Sequence, residues 1–193
     1  MSDKGNTQPN APVQELSEIL QIRRDKLAEL QSAGKDPFVI TSYDVSHHST
    51  EIKDSFAELE GKTVSIAGRL MSKRVMGKAS FCNVQDLKGS IQCYVARDFV
   101  GEEKYKDFKK FDIGDIVGIK GDVFQTKTGE ISVHAEEIVL LSKSLKPLPE
   151  KFHGLTDRET RYRQRYVDLI MNPETRKTFE ARSKFIKHLR TVD

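Results

Sequence analysis

An aromatic ring, a carboxamide and a carboxylate are the side chains in this sequence best suited to binding chemistry. Phe81 and Gln92 lie in two successive runs of alternating hydrophobicity, and Glu130 opens another. A ring can stack on a flat π-system, a carboxamide donates and accepts hydrogen bonds, and a carboxylate only accepts them. On one face, these three groups could bind an unpaired nucleobase by stacking on its plane and contacting its edge.

The alternation in the two runs that contain Phe81 and Gln92 predicts which side chains share that face. Successive side chains of a strand point to opposite sides, so the apolar set should face a core. A hairpin symmetric about Leu87 and Lys88 would place Phe81 opposite Tyr94 on the outer face. The alternative is that Phe81 covers the N-terminal helix or pads the surface, and the pattern favours neither. The residues predicted to face inward are Ser80, Cys82, Val84, Ile91, Cys93 and Val95.

Three cations precede this hairpin. Arg69, Lys73 and Arg74 lie on the preceding strand and its exit loop, and we expect them to approach the same surface. There they could contact phosphate or stack on a base. Each is a weak signal by itself, because a surface cation is more often simply solvated.

The hydrophobic pattern predicts that the elements positioning these residues form a small barrel. From Lys62 to Leu141 the hydrophobic period is two, in about five short runs, and Glu102–Phe111 between the third and fourth has helical spacing. This order predicts a mainly β chain, an OB-fold five-stranded β-barrel with flanking helices. Another small barrel or sandwich is the alternative.

The flanking segments complete the predicted organisation. A stripe of Val, Leu and Ile between Pro12 and Ala33 predicts a helix whose cations, Arg23, Arg24 and Lys26, point outward, solvated or against phosphate. The predicted divisions are a disordered tail at 1–11, a helix and connector at 12–60, the barrel at 61–145, a linker at 146–157 and a helical segment at 158–193.

Composition excludes several classes of protein. The 193 residues carry a net charge of only +3, with 37% hydrophobic and 32% charged residues. No apolar run approaches the roughly 20 residues that span a bilayer, and the polar N-terminus lacks a signal-peptide core, so we expect a cytoplasmic protein without a membrane partner. Two cysteines without metal-ligand spacing predict buried thiols and no metal site. No catalytic motif such as GxxxxGK, HExxH or GxSxG is present.

Several runs resemble bacterial-type lysyl-tRNA synthetases. Arg161–Ile170 is similar to the segment that leads into that family's catalytic domain. The likeness extends from about Glu15 to the last residue. The other runs that carry it are Ile66–Phe81, Gly89–Asp98, Thr126–Val133 and Leu145–Leu155.

The resemblance implies a class II, subclass IIb enzyme that joins lysine to its tRNA through an adenylate made from ATP with Mg²⁺. In that family the N-terminal OB-fold reads a U-rich anticodon, and the full-length enzyme is a homodimer. By position, Phe81 would stack on the central uridine, Gln92 and Glu130 would contact anticodon bases, and Arg74 would flank them. The implied partner is therefore the anticodon loop of a lysine tRNA, not DNA.

The same resemblance implies that the catalytic machinery is missing. Only the opening helix of the first class II signature motif, around Phe179–Arg190, has a counterpart here. We therefore expect this chain to bind neither ATP nor Mg²⁺ and to be inactive in aminoacylation. Two alternatives stay open: the anticodon-binding part of an aspartyl- or asparaginyl-tRNA synthetase, and a free-standing single-strand-binding OB-fold. Leu145–Leu155 and Tyr94–Asp98 favour lysine, and the tail after the barrel is superfluous for a free-standing module.

Overall fold

The structure is a computed structural model that describes residues 13–149, 155 and 157–191, with the side chains of 13–15 left out. The chain divides into two compact units, Met1–Pro147 and Leu148–Asp193. The predicted tail at 1–11 and much of the predicted linker lie outside the described residues. The predicted domain boundaries therefore stay predictions.

The first unit contains the strands. Its helices are α1 (Val13–Ser32), α2 (Ser49–Asp54), α3 (Phe56–Leu59), α4 (Arg97–Val100) and α5 (Glu102–Lys110), with a short 3₁₀ turn at Pro37–Val39. Its strands are β1 (Thr63–Met76), β2 (Ala79–Gln85), β3 (Ser90–Ala96), β4 (Ile116–Gln125) and β5 (Ile131–Ser142).

The five strands form a closed barrel in the order β1-β2-β3-β5-β4. Every neighbouring pair is antiparallel except β3 and β5, whose parallel ladder joins Gln92–Val95 to Ser132–Ala135. The helix α5 lies between β3 and β4 in the chain, as the pattern of residues 102–111 predicts. The prediction of a five-stranded OB-fold barrel with flanking helices is confirmed.

The barrel interior is apolar because β2 and β3 alternate without interruption. Cys82 pairs with Cys93 and Phe81 with Tyr94, in the predicted register. Both cysteines are buried free thiols. A hydrogen bond with Cys82, together with burial, raises the pKa of the Cys93 thiol well above its usual value.

The side chains of strand β1 exchange inner and outer faces at a bulge part-way along the strand. A register shift between Leu70 and Ser72 leaves Leu70 opposite Val84 but Lys73 opposite Cys82. A bulge of this kind inserts an extra residue, so side chains beyond it switch sides. Arg74 is thereby placed opposite Phe81.

The helix α1 corrects two predictions. Arg23 is buried and donates hydrogen bonds to the carbonyl oxygens of Ile113, Ser144 and Lys146, and Lys26 pairs with Asp112 at 2.6 Å. These cations do not point outward, because carbonyls and carboxylates at the barrel end replace the water they would lose.

The apolar stripe of α1 is only partly covered. Leu30 packs against the barrel core, whereas Leu16, Ile19 and Ile22 are exposed. Two short helices, α2 and α3, also lie in the segment predicted as a connector. A capping box at His48 begins α2, with Glu51 accepting from the His48 backbone N–H at 2.8 Å.

The second unit is helical. It consists of α6 (Arg158–Arg163), α7 (Arg165–Met171) and α8 (Pro173–Thr191). Asp168 on α7 is buried and accepts hydrogen bonds from Arg161, Arg165 and Asn172. Arg161 on α6 also donates to the Thr175 hydroxyl on α8 at 2.9 Å, so its guanidinium connects the three helices. Among the described helices, none combines the length and apolarity that crossing a membrane requires.

Candidate nucleic-acid interface

A groove of about 720 Å³ runs along the outer face of the barrel. We call it the outer groove. Residues from four strands and from the turn between β4 and β5 line it. They are Ser72, Arg74, Phe81, Cys82, Asn83, Gln92, Tyr94, Phe124, Gln125, Thr126, Lys127 and Thr128.

Cross-strand pairing arranges the residues that line the groove, together with Ser132 and His134 of β5, in two rows. Residues directly opposite each other on neighbouring strands have side chains in contact range. The first row crosses β1, β2, β3 and β5 through Arg74, Phe81, Tyr94 and His134. The second crosses the same strands and β4 through Ser72, Asn83, Gln92, Ser132 and Phe124.

The first row is an aromatic platform. The Phe81 and Tyr94 ring centroids lie 5.0 Å apart with planes tilted by 51°, and Tyr94 lies 5.3 Å from the His134 ring. Phe124 adds an edge contact to Tyr94 at 6.4 Å. Phe81 is half-buried on the outside of the barrel, so one part of its ring is held by Tyr94 and another part is accessible.

The second row carries the polar group that could contact a base edge. Gln92 is half-buried and lines the groove. Its Oε1 accepts a hydrogen bond from the Ser132 hydroxyl at 3.0 Å. The carboxamide is therefore tethered from beneath, and its orientation is restricted.

Glu130 follows the Thr126–Gly129 turn, part of which lines the groove, but it is not itself a lining residue. It shares two hydrogen bonds with Thr126, through the Thr126 N–H at 2.9 Å and the Thr126 Oγ1 at 3.0 Å. Its carboxylate is half-exposed and lies 3.6 Å from the Lys53 Nζ. The Ser132 hydroxyl approaches the Gln92 side chain and the Glu130 backbone carbonyl, the latter at 3.3 Å. The structure therefore brings Phe81, Gln92 and Arg74 together in the groove but does not bring the Glu130 carboxylate among the groove-lining groups.

Two exposed cations border the groove. Arg74 lies opposite Phe81 on β1. Lys127 is in the Thr126–Gly129 turn, where Gly129 supplies the positive φ of +87° that the turn requires. Within the described residues, neither cation forms an ion pair. Both are therefore available to an anionic ligand.

Two of the predicted cations do not reach the groove. Arg69 donates to the Gly114 carbonyl at 2.7 Å. Lys73, turned by the β1 bulge, donates to carbonyls of Phe108, Lys109 and Phe111 at the end of α5. A cation there complements the negative end of the helix dipole. Burial lowers the pKa of Lys73, as expected for an internal amine. Arg69 and Lys73 stabilise the barrel and do not line the outer groove, which corrects their predicted placement.

Comparisons with known proteins identify the chain. The family model for the OB-fold nucleic acid binding domain matches residues 64–141. A lysine–tRNA ligase of Clostridium tetani is 55% identical over 177 residues, covering 92% of this chain and 35% of the relative. Lysine–tRNA ligases of Clostridium botulinum strain Langeland and Syntrophomonas wolfei are 54% and 55% identical over 94% and 91% of this chain, and 36% and 35% of their own lengths. The chain belongs to the lysyl-tRNA synthetase family.

This member of the lysyl-tRNA synthetase family spans about a third of the length of the curated relatives that it matches. The described part of the chain holds no group of three or more His, Cys, Asp or Glu residues that could bind a metal ion.

The sequence of this lysyl-tRNA synthetase family member gave uneven signals for the remaining groove residues. Phe124 has the opposite parity from its apolar neighbours on β4, Val123 among them, so an outward aromatic was readable there. Lys127 falls in a predicted turn. Ser132 had no signal, because its importance depends on a partner 40 positions away in the chain.

Proposed function

We propose that this chain recognises the anticodon loop of a lysine tRNA, as the anticodon-binding part of a lysine–tRNA ligase. One observation carries the proposal: Phe81, Gln92 and Arg74 converge on one accessible groove of an OB-fold barrel. The similarity to lysine–tRNA ligases gives that groove its expected ligand.

In this proposal Phe81 provides the stacking surface for the central uridine. Its ring is fixed from one side by Tyr94 at 5.0 Å. A ring that is already ordered loses little side-chain entropy when a base stacks on it. Stacking of this kind contributes roughly 1–3 kcal/mol per base.

The polar groups beside Phe81 would contact base edges and the backbone. Uracil presents an N–H between two carbonyls, which suits a carboxamide donor at Gln92 and a carboxylate acceptor at Glu130. Arg74 and Lys127 at the border would neutralise phosphates, which orient the loop without reading its sequence.

The activity of the whole enzyme is also a proposal. We place ATP, Mg²⁺ and the chemistry of lysine attachment on the part of the relatives' length that this chain does not span. Accordingly the chain alone would bind tRNA and fail to charge it in an aminoacylation assay. We further propose that the full-length enzyme is a cytoplasmic homodimer.

Filter binding with anticodon stem-loops tests the function. The chain should bind the stem-loop of a lysine tRNA more tightly than that of an aspartate tRNA, and both more tightly than an arbitrary RNA hairpin. Preference for the aspartate stem-loop would reject lysine in favour of a related synthetase. Equal binding to any unstructured oligonucleotide would instead indicate a non-specific single-strand-binding module.

A further inference from the structure

We propose that Ser132 is a positioning residue that fixes the carboxamide of Gln92, so that Gln92 presents its NH₂ group to the base. The inference rests on the proposed function, because it concerns how the same groove distinguishes one base from another. It adds a residue that does not line the groove and would not touch the RNA.

Burial makes Ser132 an internal support. Its side chain is completely inaccessible, although it lies in the row that faces the outer groove. In that row it is flanked by Gln92 on β3 and by Phe124 on β4. A polar group that is fully buried must find its hydrogen-bond partners within the protein.

The neighbours of the Ser132 hydroxyl determine its role. Oγ lies 3.0 Å from Gln92 Oε1 and 3.3 Å from the Glu130 carbonyl oxygen. Both neighbours are acceptors, and the hydroxyl has a single proton to donate. The shorter contact assigns that proton to Gln92 Oε1 and leaves the Glu130 carbonyl as the longer, secondary contact. A carboxamide whose oxygen is held from beneath has its NH₂ group at the opposite end of the amide plane.

This orientation has a consequence for base selection. An NH₂ group donates to a carbonyl oxygen such as those of uracil. It cannot form a hydrogen bond with an exocyclic amino group such as that of cytosine, because both groups are donors. An unrestrained carboxamide can rotate and accept from that amino group instead. Ser132 would therefore favour uracil over cytosine while contributing little to stacking or phosphate binding.

The first test needs no RNA. In ¹⁵N relaxation measurements, the Gln92 side-chain amide, assigned by its absence in Gln92→Ala, should be as rigid as the backbone in the unmodified chain. It should become mobile in Ser132→Ala and rigid again in Ser132→Thr, which keeps the hydroxyl. Equal mobility in the unmodified chain and Ser132→Ala would overturn the positioning role.

The second test uses stem-loops that carry uracil, cytosine or no base at the central anticodon position. Ser132→Ala should reduce the uracil-over-cytosine preference by roughly tenfold, within the range of a bidentate base contact. Binding of the abasic stem-loop should not change, and adding Ser132→Ala to Gln92→Ala should have no further effect. A further loss in the Gln92→Ala background would show that Ser132 acts through something other than Gln92, and would overturn the proposal.

The two tests separate failure of the function from failure of the inference. If the unmodified chain shows no uracil preference while Gln92 depends on Ser132 for its rigidity, the proposed function fails and the positioning role stands. If the preference exists and survives Ser132→Ala in a chain with an unchanged unfolding midpoint, the inference alone fails. If Ser132→Thr does not fold, the Ser132→Ala and Gln92→Ala comparison decides.

Discussion

Cations are used differently at the two sides of the barrel. At the end covered by α1, the cations are held by protein oxygens; we call this set, Arg23, Lys26, Arg69, Lys73 and Lys143, the internal cations. Lys143, for example, contacts Asp112 at 2.5 Å and Asp115 at 2.8 Å. At the outer groove, Arg74 and Lys127 are exposed.

This difference shows that the partners of a cation indicate its role better than its charge does. A buried cation requires compensation for its lost hydration, so one that is enclosed by acceptors serves the fold. An exposed cation beside an aromatic platform retains its capacity to bind a phosphate. Substitutions at the internal cations should therefore lower the unfolding free energy, whereas substitutions at the outer groove should weaken RNA binding.

The largest effect is expected at the internal cations. Lys143→Met removes an amine whose side chain is 1% exposed and leaves the inaccessible Asp115 carboxylate without that counter-ion. Removing one partner of a buried pair typically costs about 3–5 kcal/mol of unfolding free energy. Urea denaturation measures the loss. The matched control is Lys110→Met, which breaks the exposed pair with Glu29 and should cost at most about 1 kcal/mol. Equal losses in both variants would contradict the distinction.

The next effect is expected at the aromatic platform. Phe81→Ala should weaken binding of the lysine anticodon stem-loop by roughly 1–3 kcal/mol, through lost stacking. The unfolding midpoint should change little, because the ring is outside the core. Fluorescence anisotropy gives the binding change. Phe38→Ala, which removes a half-exposed ring outside the groove, is the control and should bind normally. Unchanged affinity of Phe81→Ala would remove Phe81 from the site.

A smaller effect is expected at Lys127. Removing one phosphate contact to single-stranded RNA should reduce the slope of log affinity against log salt by about 0.7. Lys127→Ala should do so without altering base preference, since phosphate contacts carry no sequence information. Lys104→Ala, an exposed cation on α5 outside the outer groove, should leave the slope unchanged. A changed base preference in Lys127→Ala would assign this residue to base recognition.

The smallest effect is a dependence of stability on pH. Burial opposes ionisation of Asp112, but hydrogen bonds from Lys143 and Lys26 outweigh it and hold the pKa of Asp112 below its usual value. A carboxyl whose pKa is depressed by folding stabilises the fold above its unfolded pKa, about 3.9, and loses that contribution as pH falls through the folded pKa. Between pH 5 and pH 2, the unfolding free energy measured by urea denaturation should therefore decline less steeply in Asp112→Asn than in the unmodified chain. An identical decline would show that Asp112 contributes nothing.

The centre of the site was predictable from the sequence because β2 and β3 alternate without a bulge. The outward positions of Phe81 and Gln92, and the pairing of Phe81 with Tyr94, follow from parity and from a symmetric turn. The OB-fold order was predictable for the same reason, since the runs and the helix at 102–111 obey simple periods. The roles of these side chains in RNA binding stay predictions.

The cations were not predictable, because their directions depend on tertiary partners. Parity fails at Lys73, since the β1 bulge cannot be read from an apolar pattern interrupted by polar residues. Arg23 resembles any solvated helix cation until the carbonyls of Ile113 and Ser144 are placed beside it. Ser132 likewise acquires its partner only when the barrel closes.

Because β3 pairs with β5, which follows it in the chain after α4, α5 and β4, a nascent chain completes its outer groove late in synthesis. Phe81 and Gln92 leave the ribosome early, but the strand that contains Ser132 follows about 40 residues after Gln92. A ribosome-bound intermediate that ends before β5 would contain the Phe81 ring with its partner Tyr94, but the Gln92 carboxamide would lack its hydrogen bond to Ser132. Translation must therefore pass β5 before the barrel closes and the Gln92 carboxamide acquires its fixed orientation.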